Sequence, residues 1–390
     1  MNTELQNLIT ISNELGKDSS LVVGTGGNTS AKTADGKSMY IKASGTALKD
    51  MNSNYGWRRM KTESVLDIFH DKTLPKLTVA EREFKIVDLL QSACDDNMAD
   101  DVRPSVEATL HVLLDRYIIH LHALAVLSYA CAKNGKSEIL ELFSDEQYRP
   151  LWIPYADPGF SLSHEVFRQT ETYQKDHGRK PVIMILEKHG LVVADDSPAG
   201  ALELVRKVIE RCESKLQIFR NNSIAKTKKE DVDSAKKNIL KVLTETTGQL
   251  VQVSHFTNQI IAAFSAREDA EQLLSVVALT PDEMGFVERP VIWLENCDYE
   301  KMAEKATAVF SKSKELPVGF LIKDVGLFVP GEEKFATITE EVIVGSLFVR
   351  INALSMGGIN PLNKEQRDFI KNWEGEKFRV SLAKGHNQAN

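Results

Sequence analysis

The segment Tyr117-Ile118-Ile119-His120-Leu121-His122, running straight into Ala123-Leu124-Ala125-Val126-Leu127-Ser128-Tyr129-Ala130, constrains this chain more than any other stretch. Its apolar, β-branched character predicts a buried strand. The apolar run behind it predicts a helix too short to cross a membrane. In a strand, residues i and i+2 project from the same face, so His120 and His122 stand side by side. Alone, such a pair is ordinarily two core histidines. Its company changes the reading: Lys188-His189-Gly190 lies at a turn between two apolar runs, and Glu107 lies just upstream. A third imidazole from that hairpin closes a facial set of three nitrogens. The set leaves an open position on a divalent metal, as a catalytic site requires. Glu107 is then close enough to move a proton.

The chain has 390 residues, which predicts two domains. At 42% hydrophobic and 26% charged residues it has the composition of a soluble globular protein. A net charge of -7 argues against a nucleic-acid surface. Arg58-Arg59-Met60-Lys61 is a local basic patch, either a solvated loop or a site for an anion. Cys94, Cys131, Cys212 and Cys297 form no CxxC pair, which fits a reduced cytoplasmic protein and no zinc–thiolate site. The N-terminus lacks a basic start and a long apolar core, so neither a signal peptide nor a membrane partner is expected.

Periodicity predicts a helix over 5–15 ended by Gly16, and a strand at Leu21-Val22-Val23 leading into Gly24-Thr25-Gly26-Gly27-Asn28-Thr29-Ser30. A strand pair follows around 38–42, then an amphipathic helix over 78–93. A further helix over 104–114 has Pro104 in its first turn and places Glu107 and His111 on one face. His111 reads as a packing or surface residue before a partner of the site, and His164 and His255 as structural. Strands at 182–186 and 191–193 flank His189-Gly190, and a helix over 198–220 has Ser197 as its cap. The lysine-rich stretch after Asn221-Asn222-Ser223 reads as an exposed connection or a charged helix. The predicted division is a domain over 1–223, a linker over 224–238 and a second domain over 239–390. The run from Pro181-Val182 to Leu191-Val192-Val193 aligns without gaps to that from Pro317-Val318 to Leu327-Phe328-Val329, with Val325 at the place of His189. That echo is either a degenerate repeat or two generic strand–turn–strand hairpins.

The glycine-rich stretch lacks the lysine of a P-loop, and Thr29 takes the last glycine position of GxGxxG. Its amides can still close around an anion, although taken alone the stretch reads first as a plain turn. In one order, however, the chain carries this stretch, then Ile41-Lys42-Ala43-Ser44-Gly45, Pro104-Ser105-Val106-Glu107, His120-Leu121-His122, Pro154-Tyr155-Ala156-Asp157-Pro158-Gly159 and Lys188-His189-Gly190-Leu191. That order resembles the class II aldolase/adducin family, typified by fuculose-phosphate and rhamnulose-phosphate aldolases, over roughly residues 5–220.

The resemblance implies an α/β fold with a central, mostly antiparallel sheet flanked by helices, followed here by a smaller α/β domain. It implies that His120, His122 and His189 bind Zn2+ or another divalent cation, and that Glu107 accepts and returns the proton. It implies that Gly27, Asn28, Ser44, Gly45 and Ser105 hold the phosphate and enediolate of a sugar phosphate or related ketose. Val106 stands where a second serine is often found, which removes one phosphate donor. Tyr148 and Tyr155 are the candidates for a tyrosine that some members contribute from a neighbouring subunit. The implied activity is cleavage or formation of a ketose phosphate. Alternatives are a dehydratase or epimerase at the same site, or a non-catalytic, adducin-like binding protein. A homo-oligomer, often a tetramer, is implied. Leu279-Thr280-Pro281-Asp282-Glu283 and Val325-Gly326-Leu327-Phe328-Val329-Pro330-Gly331 resemble the region that follows the aldolase core in bacterial fusions to a short-chain dehydrogenase. No chemical role attaches to that region.

Overall fold

The computed structural model describes residues 2–99, 101–146, 149–217 and 227–383. Seven strands form the first sheet: β1 Asn28–Lys32, β2 Ser38–Lys42, β3 Trp57–Lys61, β4 Tyr117–Leu121, β5 Leu151–Ile153, β6 Ile183–Leu186 and β7 Gly190–Asp195. Their order is β3-β2-β1-β4-β7-β6-β5, antiparallel throughout except for the parallel pair β5–β6. This is the mostly antiparallel α/β architecture expected from the family resemblance.

Strand alternation sorts the side chains between two cores. Tyr117, Ile119 and Leu121 of β4 enter one core with Leu191 and Val193 of β7. Ile118 enters the other with Val192 and Ala194. His120 shares the parity of Ile118. Ala108, Leu110 and Val112, from the segment that carries Glu107, belong to that same second core. The acid and the histidine are therefore brought to one face of the sheet.

Four strands form the second sheet, β8 Val253–Phe256, β9 Val291–Leu294, β10 Gly319–Ile322 and β11 Gly326–Pro330, in the order β8-β11-β10-β9. The echo seen in the sequence extends well beyond its hairpin. Met184 pairs with Val192 and Leu186 with Gly190; Phe320 pairs with Phe328 and Ile322 with Gly326 in the same register. Lys188 and Asp324 both take left-handed backbone, with φ of 58° and 57°. Parallel strands flank both hairpins, with Trp152 opposite Ile185 and Trp293 opposite Leu321. On the other side, His120 lies opposite Val192 and His255 opposite Phe328, the counterpart of Val192. In this correspondence His255 stands at the place of His120, while Thr257 and Val325 stand at those of His122 and His189.

The halves share apolar packing, because one hydrophobic cluster runs from Leu5 to Ile359. The helix Glu333–Leu354 lies against the helix Leu124–Ala130. A Cβ on Gly345 would sit 2.8 Å from Leu124 Cδ2.

Four expectations differ from the structure. Residues 21–23 form no strand: among the described residues no neighbour pairs with them, and Val22 and Val23 are buried in the shared core. The helix expected over 104–114 shrinks to Ala108–Val112, because Ser44 and Ser105 amides bond to Arg103 and Lys42 carbonyls and hold the preceding backbone extended. Residues 229–238, placed in the linker and read as an exposed connection or a charged helix, begin the helix Lys229–Thr247, which buries Ala235, Ile239, Val242 and Leu243 against the second sheet. The helix predicted to reach 220 runs Pro198–Glu213. Residues 218–226 and Tyr148 lie outside the described residues. Among the described residues, no helix is long and apolar enough to cross a membrane.

Candidate metal centre

β4 ends at Leu121, so His122 emerges just past it while His120 remains within the strand. The turn from β6 to β7 delivers His189. Lys188 enters it in left-handed backbone, and Gly190 has φ of 157°. A Cβ on Gly190 would collide with the Leu121 carbonyl, so glycine lets the hairpin close onto the end of β4. Gly27 does the same just before β1, where a Cβ would lie 2.7 Å from the His120 carbonyl.

The three rings meet as a propeller. Their centroids are 4.9, 5.0 and 5.2 Å apart, with interplanar angles of 69°, 71° and 71°. One nitrogen from each lies within 4.8 Å of the others. His120 Nδ1 lies 2.9 Å from the Leu191 carbonyl, and His122 Nδ1 lies 2.5 Å from Asp282 Oδ2. A carbonyl and a carboxylate accept but do not donate, so both Nδ1 atoms carry hydrogen and both Nε2 atoms present lone pairs. Those two Nε2 atoms are 3.1 Å apart. Two facing lone pairs repel unless a cation lies beside them. Two nitrogens on one tetrahedral zinc stand about 3.3 Å apart. The residues present therefore fit a divalent metal.

Glu107 completes the cluster. Its Oε1 lies 3.3 Å from His189 Nε2 and its Oε2 3.6 Å from His120 Nε2. Oε2 also accepts a short hydrogen bond from the Asn28 amide, and the Ser105 hydroxyl accepts the Glu107 N–H at 3.3 Å. Burial pushes the His120 pKa down to about 3, against the pull of Glu107, and keeps the ring neutral. Burial by itself would raise Glu107, but its contacts with His120, His189 and His122 outweigh it and hold the carboxyl well below its ordinary value. Lys42 is buried beside the cluster. Its Nζ donates to the carbonyls of Thr25 at 3.1 Å and Thr46 at 2.6 Å. Burial, then Arg379, lower its pKa to about 7.

A cavity of about 70 Å³ adjoins the cluster, lined by Gly27, Asn28, Ser44, Gly45, Ser105, Glu107, His122 and His189. Every residue expected at the site is thus at the cavity, apart from His120, which is buried in the imidazole cluster. The other side of the cavity comes from the far end of the chain. Trp373, Glu376 and Arg379 line it, and Leu382 of the helix Glu374–Ala383 lies against Gly45. The first amide of the glycine-rich stretch is already occupied, since Gly24 donates to Glu341 Oε2 at 3.0 Å.

Other candidates lie elsewhere. Tyr155 donates to Asp157 Oδ1 at 3.1 Å and is not among the residues lining the cavity. His111 is fully buried with Nδ1 2.8 Å from the Ser30 hydroxyl, a packed core histidine. His164 packs near Phe160. Asp282, Glu376 and Arg379 are what sequence reasoning missed. Thr280-Pro281-Asp282-Glu283 carries the signal of a helix start, and nothing local marks Asp282 as the partner of a histidine 160 residues away.

The family model for the class II aldolase and adducin N-terminal domain matches residues 6–216, more than half of the chain. The chain belongs to this family. A Bacillus subtilis (strain 168) protein described as the uncharacterized oxidoreductase YuxG is 21% identical over 421 residues, covering 97% of this chain and 58% of that protein. The chain thus spans little more than half the length of that relative. Among solved structures, the N-terminal class II aldolase domain of a conserved protein from Thermoplasma acidophilum is 25% identical. It covers 55% of this chain and 94% of its own, with a TM-score of 0.45. L-fuculose-1-phosphate aldolase from Thermus thermophilus is 14% identical, covering 55% of this chain and 93% of its own, with a TM-score of 0.33.

Proposed function

We propose that this class II aldolase family member is a metal-dependent lyase that cleaves or forms a ketose phosphate or related ketose. The observation that carries the reading is the three-imidazole propeller with Glu107 beside it and a lined cavity in front. His120, His122 and His189 would hold the cation, which when bound supplies Lewis acidity to substrate oxygens. Glu107 would accept a proton from one substrate atom and return it to another, and its ionised form is the one that accepts it. The Asn28 amide orients that carboxylate. Ser44, Gly45 and Ser105 line the same cavity, where the remainder of a substrate would lie. At about 70 Å³, the cavity is far below the roughly 300–1,000 Å³ of ordinary ligand pockets. A ketose phosphate would therefore need the cavity to widen; the helix Glu374–Ala383, with Leu382 against Gly45, lies on its border.

The test is elemental analysis of protein purified without chelator, followed by a panel of ketose phosphates with product identification. About one divalent ion per chain is expected, lost in His120→Ala and in His189→Ala. Glu107→Gln is expected to keep the ion and lose activity by about 10²–10⁴-fold. Metal-replete protein that neither cleaves nor condenses any member of the panel would sink the reading. An epimerised or dehydrated product would transfer the same site to the alternative reactions.

A further inference from the structure

Asp282 belongs to the second half of the chain, yet its side chain ends at the imidazole cluster of the first. Thr280 caps the helix Pro281–Phe286, with its hydroxyl accepting the Glu283 N–H at 3.3 Å. That cap holds the first turn, and Asp282 with it, against His122. Oδ2 lies 2.5 Å from His122 Nδ1. Oδ1 lies 2.7 Å from Arg379 Nη1, and Arg379 Nη2 lies 2.6 Å from Glu376 Oε1. Asp282 and Glu376 are buried and Arg379 is nearly so, with a side-chain exposure of 13%.

A buried carboxylate is costly unless it is paired, and here both oxygens are engaged. Arg379 anchors one, which leaves the other free to take the N–H of His122. That contact sets the rotation of the ring and puts its hydrogen on Nδ1, which commits the Nε2 lone pair to the cluster. An anionic acceptor also makes the far nitrogen a stronger donor to a cation than a carbonyl would. The three imidazoles are not equivalent in this respect: His120 leans on the Leu191 carbonyl, while His122 leans on a carboxylate.

We propose that Asp282 is the positioning residue for His122 and that Arg379 holds Asp282 in place, so that the second half of the chain completes the metal centre built by the first. The proposal rests on the metal-site reading above, and the experiment separates the two. Zinc affinity of the full chain is measured by competition with a chromophoric chelator, and cobalt is substituted to read the coordination spectrum. Wild type, His120→Ala, Asp282→Asn, Asp282→Glu and Arg379→Gln are compared, each with a circular dichroism spectrum and metal-free melting midpoint.

Asp282→Asn is expected to weaken zinc binding by roughly 10–100-fold and to shift the cobalt bands. Asp282→Glu should recover part of that loss. Arg379→Gln should weaken binding in the same direction by a smaller factor, and it decides the matter if Asp282→Asn does not fold. Zinc affinity unchanged in Asp282→Asn and Arg379→Gln, with only the metal-free melting midpoint lowered, would make Asp282 a packing residue and overturn the proposal alone. Wild type that binds no zinc would overturn the metal reading and this proposal with it.

Discussion

Lys32 shows what a single buried charge does to this fold. It lies in β1 with Nζ donating to the carbonyls of Val112, at 3.0 Å, and Leu114. Those bonds tie the strand to the end of the segment that carries Glu107. Burial, then the nearby charge of Lys180, lower its pKa to about 7, with Asp115 acting against them. In the unfolded chain the amine keeps its proton up to about pH 10.4. Between pH 7 and 10 the unfolded state therefore binds the extra proton, and stability rises with pH across that window. Denaturant titrations of wild type and Lys32→Met at pH 6, 7, 8 and 9 should show wild type gaining on the variant only above about pH 7. A constant difference would mean that Lys32 stays charged in the folded protein. Composition and spacing do not single this lysine out, because its partners come from a segment about 80 residues away.

At the level of elements, the helix Val79–Ser92 was legible in full. Thr78 and Glu81 form a reciprocal capping box, the Thr78 N–H reaching Glu81 Oε2 at 2.9 Å. Thr78→Ala should lower unfolding free energy by about 1 kcal/mol, read as a lower urea midpoint at unchanged slope. A loss near zero would show that the neighbouring contacts carry this end of the helix. Ser197 likewise caps Pro198–Glu213, its hydroxyl accepting the Gly200 N–H at 3.0 Å. Both signals are local, so a sequence displays them. The helix expected from Pro104 failed because its backbone had a better partner in β2, a pairing no window of the sequence contains. The hairpin echo was visible in the sequence, but its extension to β8, β9 and His255 was not. Strand register depends on which strands meet, and the aligned run covers only two of the four.

For the whole molecule, the decisive fact is that the two sheets share one apolar cluster through the helices Leu124–Ala130 and Glu333–Leu354. Trp152 stands on the first sheet and Trp293 on the second. Tryptophan fluorescence and far-ultraviolet circular dichroism should therefore report one unfolding transition with a common midpoint. Two separated transitions would show that the halves fold independently. The fold family was legible in the sequence alone, and so was the expectation that His120, His122, His189 and Glu107 come together. Strand alternation puts the paired histidines on one face, and the remaining motifs occur in a single order that the family model then matched over residues 6–216. Only the tertiary structure decided that Asp282 holds His122, that Arg379 holds Asp282, and that the helix Glu374–Ala383 covers Gly45. The physical reason is that periodicity and capping arise from neighbours along the chain. A contact between residues 160 positions apart arises from how whole elements pack, and leaves no pattern in the residues beside either partner.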